Sequence, residues 1–213
     1  MTRHLFNTIV LALFLATGET GAAQQVVVAM TPESVDEAIQ LAADEKATAK
    51  FLDAYVVQTR AGWGNGPLIG SLSTPFARVV QAALAARKKG SPFATADVTP
   101  DLIAPELHVV ALAQTAATDD GMVATVLSVV LARRGSKDPA DVIQPLKTTE
   151  LTAQYQNLAG TAFKGTGVLA VFPLSALMPN SEIRVVFDRT ARGFSGLSMC
   201  RECTVPVNLN RLR

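Results

Sequence analysis

The chain has 213 residues and a nearly balanced charge, with 19 basic and 18 acidic side chains and a formal net charge of +1. Hydrophobic residues make up 49% of the chain and charged residues only 17%, below the ~25% of an average globular protein. This balance excludes a strongly basic surface that would attract nucleic acid or anionic lipid. The length is enough for one large domain or two small ones with a buried core.

The first 23 residues have the pattern of a secretory signal peptide. A basic start precedes the apolar run Ile9 to Ala16, and small residues follow at Gly21 and Ala23. The apolar run is too short to cross a bilayer, which takes ~20 residues, and the other interpretation is a buried first helix or strand. We expect cleavage after Ala23, with Ala22 as the second choice, so that the mature chain begins at Gln24 or Ala23 and is secreted or periplasmic. No later segment has the pattern of a membrane span.

Two amphipathic helices are predicted between residues 24 and 100. The first begins at Thr31 and Pro32, a capping residue followed by a proline that suits the first helical turn. The second runs from Pro75 to Lys89 and ends at Gly90. Apolar stripes at helical spacing comprise Val35, Ala38, Ile39 and Ala42 in the first helix, and Phe76, Val79, Val80, Ala83 and Leu84 in the second. We expect the second helix to pack on a sheet through this stripe.

The segment between these helices contains a distinctive glycine-rich loop. Phe51 to Thr59 fits either a helix or a strand, and R-A-G-W-G-N-G-P then holds the only tryptophan, Trp63. The glycine spacing matches neither a dinucleotide-binding fingerprint nor a phosphate loop. One interpretation is a loop that presents Trp63 and Asn65 to a ligand such as a sugar or a peptide. The other is a turn whose tryptophan fills the core.

Residues 101–213 are rich in short strand-like segments separated by turns. Glu106 to Thr115 and Met122 to Arg133 are predicted to form a central hairpin, joined by the turn sequence A-A-T-D-D-G. Further strands are predicted over Leu151 to Leu158, Thr166 to Phe172 and Glu182 to Asp188. The sequence therefore predicts an α+β fold, in which an N-terminal helical segment, residues 24–100, packs on or joins an antiparallel β-sandwich-like region, residues 101–213.

The only two cysteines, Cys200 and Cys203, form a C-x-x-C motif. In an oxidising compartment this pair most simply forms a disulfide. The alternatives are a redox-active pair or a metal site. A thioredoxin-like motif opens a helix, whereas the residues after Cys203 favour a strand. A structural zinc site takes about four ligands, and the mature chain adds only His108 among histidines.

Catalytic signatures are weak in this sequence. No G-x-S-x-G motif is present, and a Ser–His pair would have to use His108, which is expected to be a surface or hydrogen-bonded core histidine. Two classes of function remain open. One is an exported non-enzymatic module that binds an unidentified protein or small ligand or serves structure. The other is a redox-active or metal-binding protein that uses Cys200 and Cys203. No cofactor is predicted, and the sequence does not decide whether the protein is an enzyme.

Overall fold

The computed structural model describes residues 29–58, 68–114, 126–156, 162–177, 180–187, 202–206 and 212. Over these residues the chain has an α+β fold with four α-helices and nine strands in two antiparallel sheets, so the predicted fold class is confirmed at this level. The predicted signal segment, the loop with Trp63 and Asn65, and Cys200 lie outside the described residues.

The helices are α1 (Pro32–Ala43), α2 (Glu45–Asp53), α3 (Pro75–Lys88) and α4 (Pro100–Ile103). Thr31 caps α1 as predicted, because its hydroxyl accepts the Ser34 N–H while the Ser34 hydroxyl accepts the Thr31 N–H at 2.7 Å. The carboxylate of Asp44 accepts the N–H groups of Lys46 and Ala47 and thereby starts α2. Helix α2 was not predicted from the sequence.

The strands in chain order are β1 (Val56–Gln58), β2 (Leu68–Ser73), β3 (Glu106–Gln114), β4 (Val126–Arg133), β5 (Val142–Ile143), β6 (Lys147–Gln156), β7 (Ala162–Pro173), β8 (Ser181–Phe187) and β9 (Glu202–Pro206). The five-stranded sheet has the order β1-β2-β3-β7-β6, and the four-stranded sheet has the order β5-β4-β8-β9. All neighbouring strands are antiparallel. The strands β1 and β2 therefore belong to the same sheet as β3, although helices α3 and α4 separate β2 from β3 in sequence.

The predicted hairpin between residues 106–115 and 122–133 is wrong. β3 pairs with β2 on one side and with β7 on the other, whereas β4 pairs with β5 and β8 in the other sheet. A strand that is apolar on both faces gains from a central position, and each of these strands has neighbours on both sides in its own sheet. The turn sequence predicts that the chain reverses direction, but it does not determine which strands pair with each other.

Two groups of buried side chains form the interior, and we call them the sheet core and the helix core. The sheet core draws on both sheets: Leu72, Leu107, Val109, Ala111, Val168, Ala170 and Phe172 from the five-stranded sheet, and Val126, Val129, Leu131, Ile183 and Val185 from the four-stranded sheet. Phe51 packs against both cores, with its ring 4.9 Å from that of Tyr55 in the sheet core and 5.5 Å from that of Phe76 in the helix core. This contact joins the helices to the strands.

The apolar stripe predicted for α3 is buried, but it packs on α1 rather than on a sheet. The helix core comprises Phe76, Val79, Val80 and Ala83 of α3 together with Val35, Ala38 and Ala42 of α1. Leu84 and Ile39 are partly buried against the same core. Of the buried residues of α3, Ala77 is the one that belongs to the sheet core. The helix therefore reaches the sheet through a face next to its apolar stripe.

Replacing Val80 by aspartate should destabilise the fold. Val80 is fully buried in the helix core, and an unpaired carboxylate there would lose its hydration, so Val80→Asp should lower the free energy of unfolding by about 3 kcal/mol or more. Urea unfolding followed by circular dichroism measures the change. The matched control is Gln81→Asp, on the exposed face of the same helix. Equal effects of the two substitutions would show that the α3 face is not packed as described.

Candidate functional site

The guanidinium of Arg78 is buried where the helices meet the five-stranded sheet. It donates hydrogen bonds to four backbone carbonyl oxygens, those of Ser73, Leu102, Ala104 and Glu106. The bond to Glu106 is 2.8 Å long, and the residue is only 7% exposed. Burial lowers the pKa of Arg78, while the carboxylates of Glu106 and Asp101 oppose that shift. Arginine stays charged in proteins, and the hydrogen bonds of this buried cation go to backbone carbonyls.

Next to this cation, the half-buried His108 forms a pair with Glu106 on β3. Its Nε2 lies 3.2 Å from a carboxylate oxygen of Glu106. Burial is the main cause that lowers the pKa of His108; the hydrogen bond to Glu106 opposes it, and the nearby Arg78 charge lowers the pKa further. His108 is therefore neutral near pH 7, as a hydrogen-bonded partner of Glu106.

The strand register also places a serine on this face, but it does not complete a hydrolytic triad. Ser73 of β2 lies directly opposite His108, and Glu106 is two residues along the same strand, so all three share one face of the sheet. The Ser73 hydroxyl donates instead to Gln81, at 3.4 Å. Among the described residues, the partner of His108 is Glu106, and a nucleophile needs a hydrogen bond to its base. The cluster is a hydrogen-bonded polar patch.

A second polar cluster lies on the outer face of the four-stranded sheet. Glu182 and Arg184 alternate along β8 with the core residues Ile183 and Val185, and Arg184 Nε donates to Glu182 at 2.9 Å. Both side chains are nearly buried. Arg184 also donates to the Ser136 carbonyl. The ion pair therefore holds the turn after β4 against β8, which is a structural role. Removing either partner would leave a buried charge unpaired.

An open groove of about 210 Å³ lies between the C-terminal halves of α1 and α3. It is lined by Ile39, Ala42, Ala43, Ala83, Arg87, Ser91, Pro92 and Phe93. Arg87 supplies the positive charge of this lining, and its Nη1 donates to the carbonyls of Ala42 and Ala43 at the end of α1. This groove was not predicted from the sequence.

The residues that the sequence analysis singled out are only partly described. Cys203 lies in β9, opposite Val185 of β8, so the second cysteine of the motif is within a strand. Cys200, Trp63 and Asn65 lie outside the described residues, and the disulfide and the ligand contacts remain predictions. In the ranges that the structure describes, no three His, Cys, Asp or Glu side chains form a group able to hold a metal ion. No helix there has the length and apolarity to cross a membrane.

Comparisons with family models, curated protein sequences and solved structures find no match to this chain. Its class is therefore defined by the fold, an α+β protein with two antiparallel sheets. Its function is best argued from the surfaces that this fold exposes.

The His108–Glu106 pair gives the fold a specific pH dependence. Because the pKa of His108 is lowered in the folded state, the unfolded chain binds more protons just below pH ~6.5, and the free energy of unfolding should fall as the pH drops through that window. Urea unfolding at about pH 7.5 and about pH 5.5 measures this slope. His108→Gln should flatten it.

Glu106→Gln is the matched variant for this prediction. Glu106 raises the pKa of His108 against the effect of burial. Replacing Glu106 by neutral glutamine should therefore lower the pKa of His108 further, and the free energy of unfolding should fall more steeply on acidification. Identical slopes in the parent, His108→Gln and Glu106→Gln would contradict the assignment of this titration to His108.

Proposed function

We propose that this chain is an exported, non-enzymatic binding or structural module, in which helices cap an antiparallel β-sandwich. The sandwich is supported by the sheet core, since residues from both sheets contribute to one buried cluster. Export is supported by the pattern of residues 1–23, with its basic start, apolar run and small residues before Gln24.

The observation that carries the binding role is the length of one open sheet edge. β6 has ten residues, and in the described part of the chain it pairs only with β7. The other edge strands are short, with three residues in β1, two in β5 and five in β9. Folded proteins usually keep their edges short or blunt, because unpaired backbone groups recruit other strands. A long, regular edge therefore favours a partner strand.

The side chains along β6 are also compatible with strand addition. Thr148, Thr149 and Thr152 are exposed β-branched residues, and the register with β7 continues without a shift from Lys147 to Gln156. Leu146 precedes the strand with 66% of its surface exposed. Lys147 and Glu150 are the two charged residues of β6, and the strand contains no proline, so few features that usually protect an edge are present.

A second copy of this chain is the partner that we propose for the edge. Two β6 strands related by a two-fold axis would pair antiparallel and join two five-stranded sheets into one sheet of ten strands. With the axis at Thr149, Lys147 lies opposite Leu151 and Thr148 lies opposite Glu150, so no like charges face each other. The net charge of +1 adds little repulsion between the copies.

Sedimentation of the exported protein tests this proposal. Expressed with its own leader, the protein should be recovered outside the cytoplasm with Gln24 or Ala23 as its first residue, and it should sediment as a dimer. Thr149→Lys and Thr149→Asp should each yield a monomer, because the two-fold axis sets like charges of either sign face to face.

The matched controls are Ala49→Lys and Ala49→Asp, at an exposed alanine on α2 far from β6 in sequence, and both should remain dimeric. Circular dichroism would check that every variant is folded. A monomeric parent, or folded Thr149 variants that remain dimeric, would overturn the role of β6. Exported protein that retains residues 1–23 would overturn the leader assignment separately.

A further inference from the structure

We propose that the groove between α1 and α3 binds a small apolar carboxylate, such as a short fatty acid, with its carboxylate at Arg87. This inference rests on a concave surface of the helices and is independent of the β6 edge.

The size and lining of the groove define the apolar part of the ligand. Ala42 and Ala83 are buried, and their short side chains line the groove together with the larger apolar side chains of Ile39 and Phe93. The volume of about 210 Å³ is below the ~300 Å³ at which pockets for drug-sized ligands begin. An alkyl chain of a few carbons would displace water from these apolar walls at a gain in free energy.

The charge at the rim defines the polar part of the ligand. Arg87 Nη1 is held by the carbonyls of Ala42 and Ala43, whereas its Nε and Nη2 donate no hydrogen bond to any described residue. A guanidinium has five N–H donors in a planar fork that matches a carboxylate. Among the residues that the structure describes, no acidic side chain lines the groove. An anion is therefore favoured at Arg87, and a cation is not.

The same contacts keep the guanidinium in position. The last carbonyls of α1 carry a negative partial charge, which would repel an anion in the groove. Arg87 Nη1 satisfies two of these carbonyls and offsets their charge, and Arg87 is one of the residues that line the groove. Lys88 and Lys89 follow in the last turn of α3 and at its end, where they are exposed and add positive potential nearby.

Four related probes test the proposal: hexanoate, hexanol, hexylamine and acetate. Amide chemical-shift changes in a titration of the folded protein give both the affinity and the location. Hexanoate should bind with a dissociation constant on the order of millimolar, as its small size implies, and should shift the amides of residues 39–43, 83–91 and 93. Hexanol and acetate should bind on the order of tenfold more weakly, and hexylamine should not shift these amides.

Two variants separate the groove from general charge. Arg87→Gln should weaken hexanoate binding on the order of tenfold and leave hexanol binding unchanged. Lys89→Gln, which removes one positive charge next to the groove without altering its lining, should bind hexanoate as the parent does. The proposal is overturned if hexanoate shifts none of the groove amides, if hexylamine binds there as well as hexanoate, or if the two variants lose affinity equally.

Discussion

The buried guanidinium of Arg78 is the interaction on which the arrangement of helices and sheet depends. It binds carbonyl oxygens at the end of β2 and along the connection from α4 to β3. These are the two points at which the chain leaves the five-stranded sheet for the helices and returns to it. β2 and β3 are neighbours in that sheet, and the segment with α3 and α4 is inserted between them in sequence. Arg78 therefore holds the two ends of this inserted segment together. A neutral side chain in its place would remove one hydrogen-bond donor from each of four partly buried carbonyls.

The two cores and the exposed surfaces follow from this junction. Phe51 adds an apolar contact between helices and sheet, because its ring contacts Tyr55 of the sheet core and Phe76 of the helix core. The helices α1 and α3 pack on each other and create the groove beside Arg87. At the far side of the five-stranded sheet, β6 remains as a long edge. The proposed binding roles therefore lie on surfaces that the packing leaves open.

Local signals made much of the fold predictable from sequence. Thr31, Pro32 and Pro75 start helices whose apolar stripes are buried, and most of the strands lie close to their predicted positions. The partners of those strands were not predictable, because β3 and β4 are apolar on both faces and their pattern fits any central position. α2 was missed because its start depends on the Asp44 cap and its sequence is largely polar. Arg78 binds backbone carbonyls, which leave no trace in the sequence, and the groove arises between helices that are distant along the chain.

Native-state hydrogen exchange of the parent and of Arg78→Met tests most directly whether Arg78 joins the helices and the sheet into one cooperative unit. In the parent, the most protected amides of α1 and α3 should exchange with the same free energy as those of β3 and β7. In Arg78→Met, the helix amides should open at a lower free energy than the strand amides. Helices that open separately from the sheet in the parent, or helix protection that is unchanged in Arg78→Met, would contradict the account.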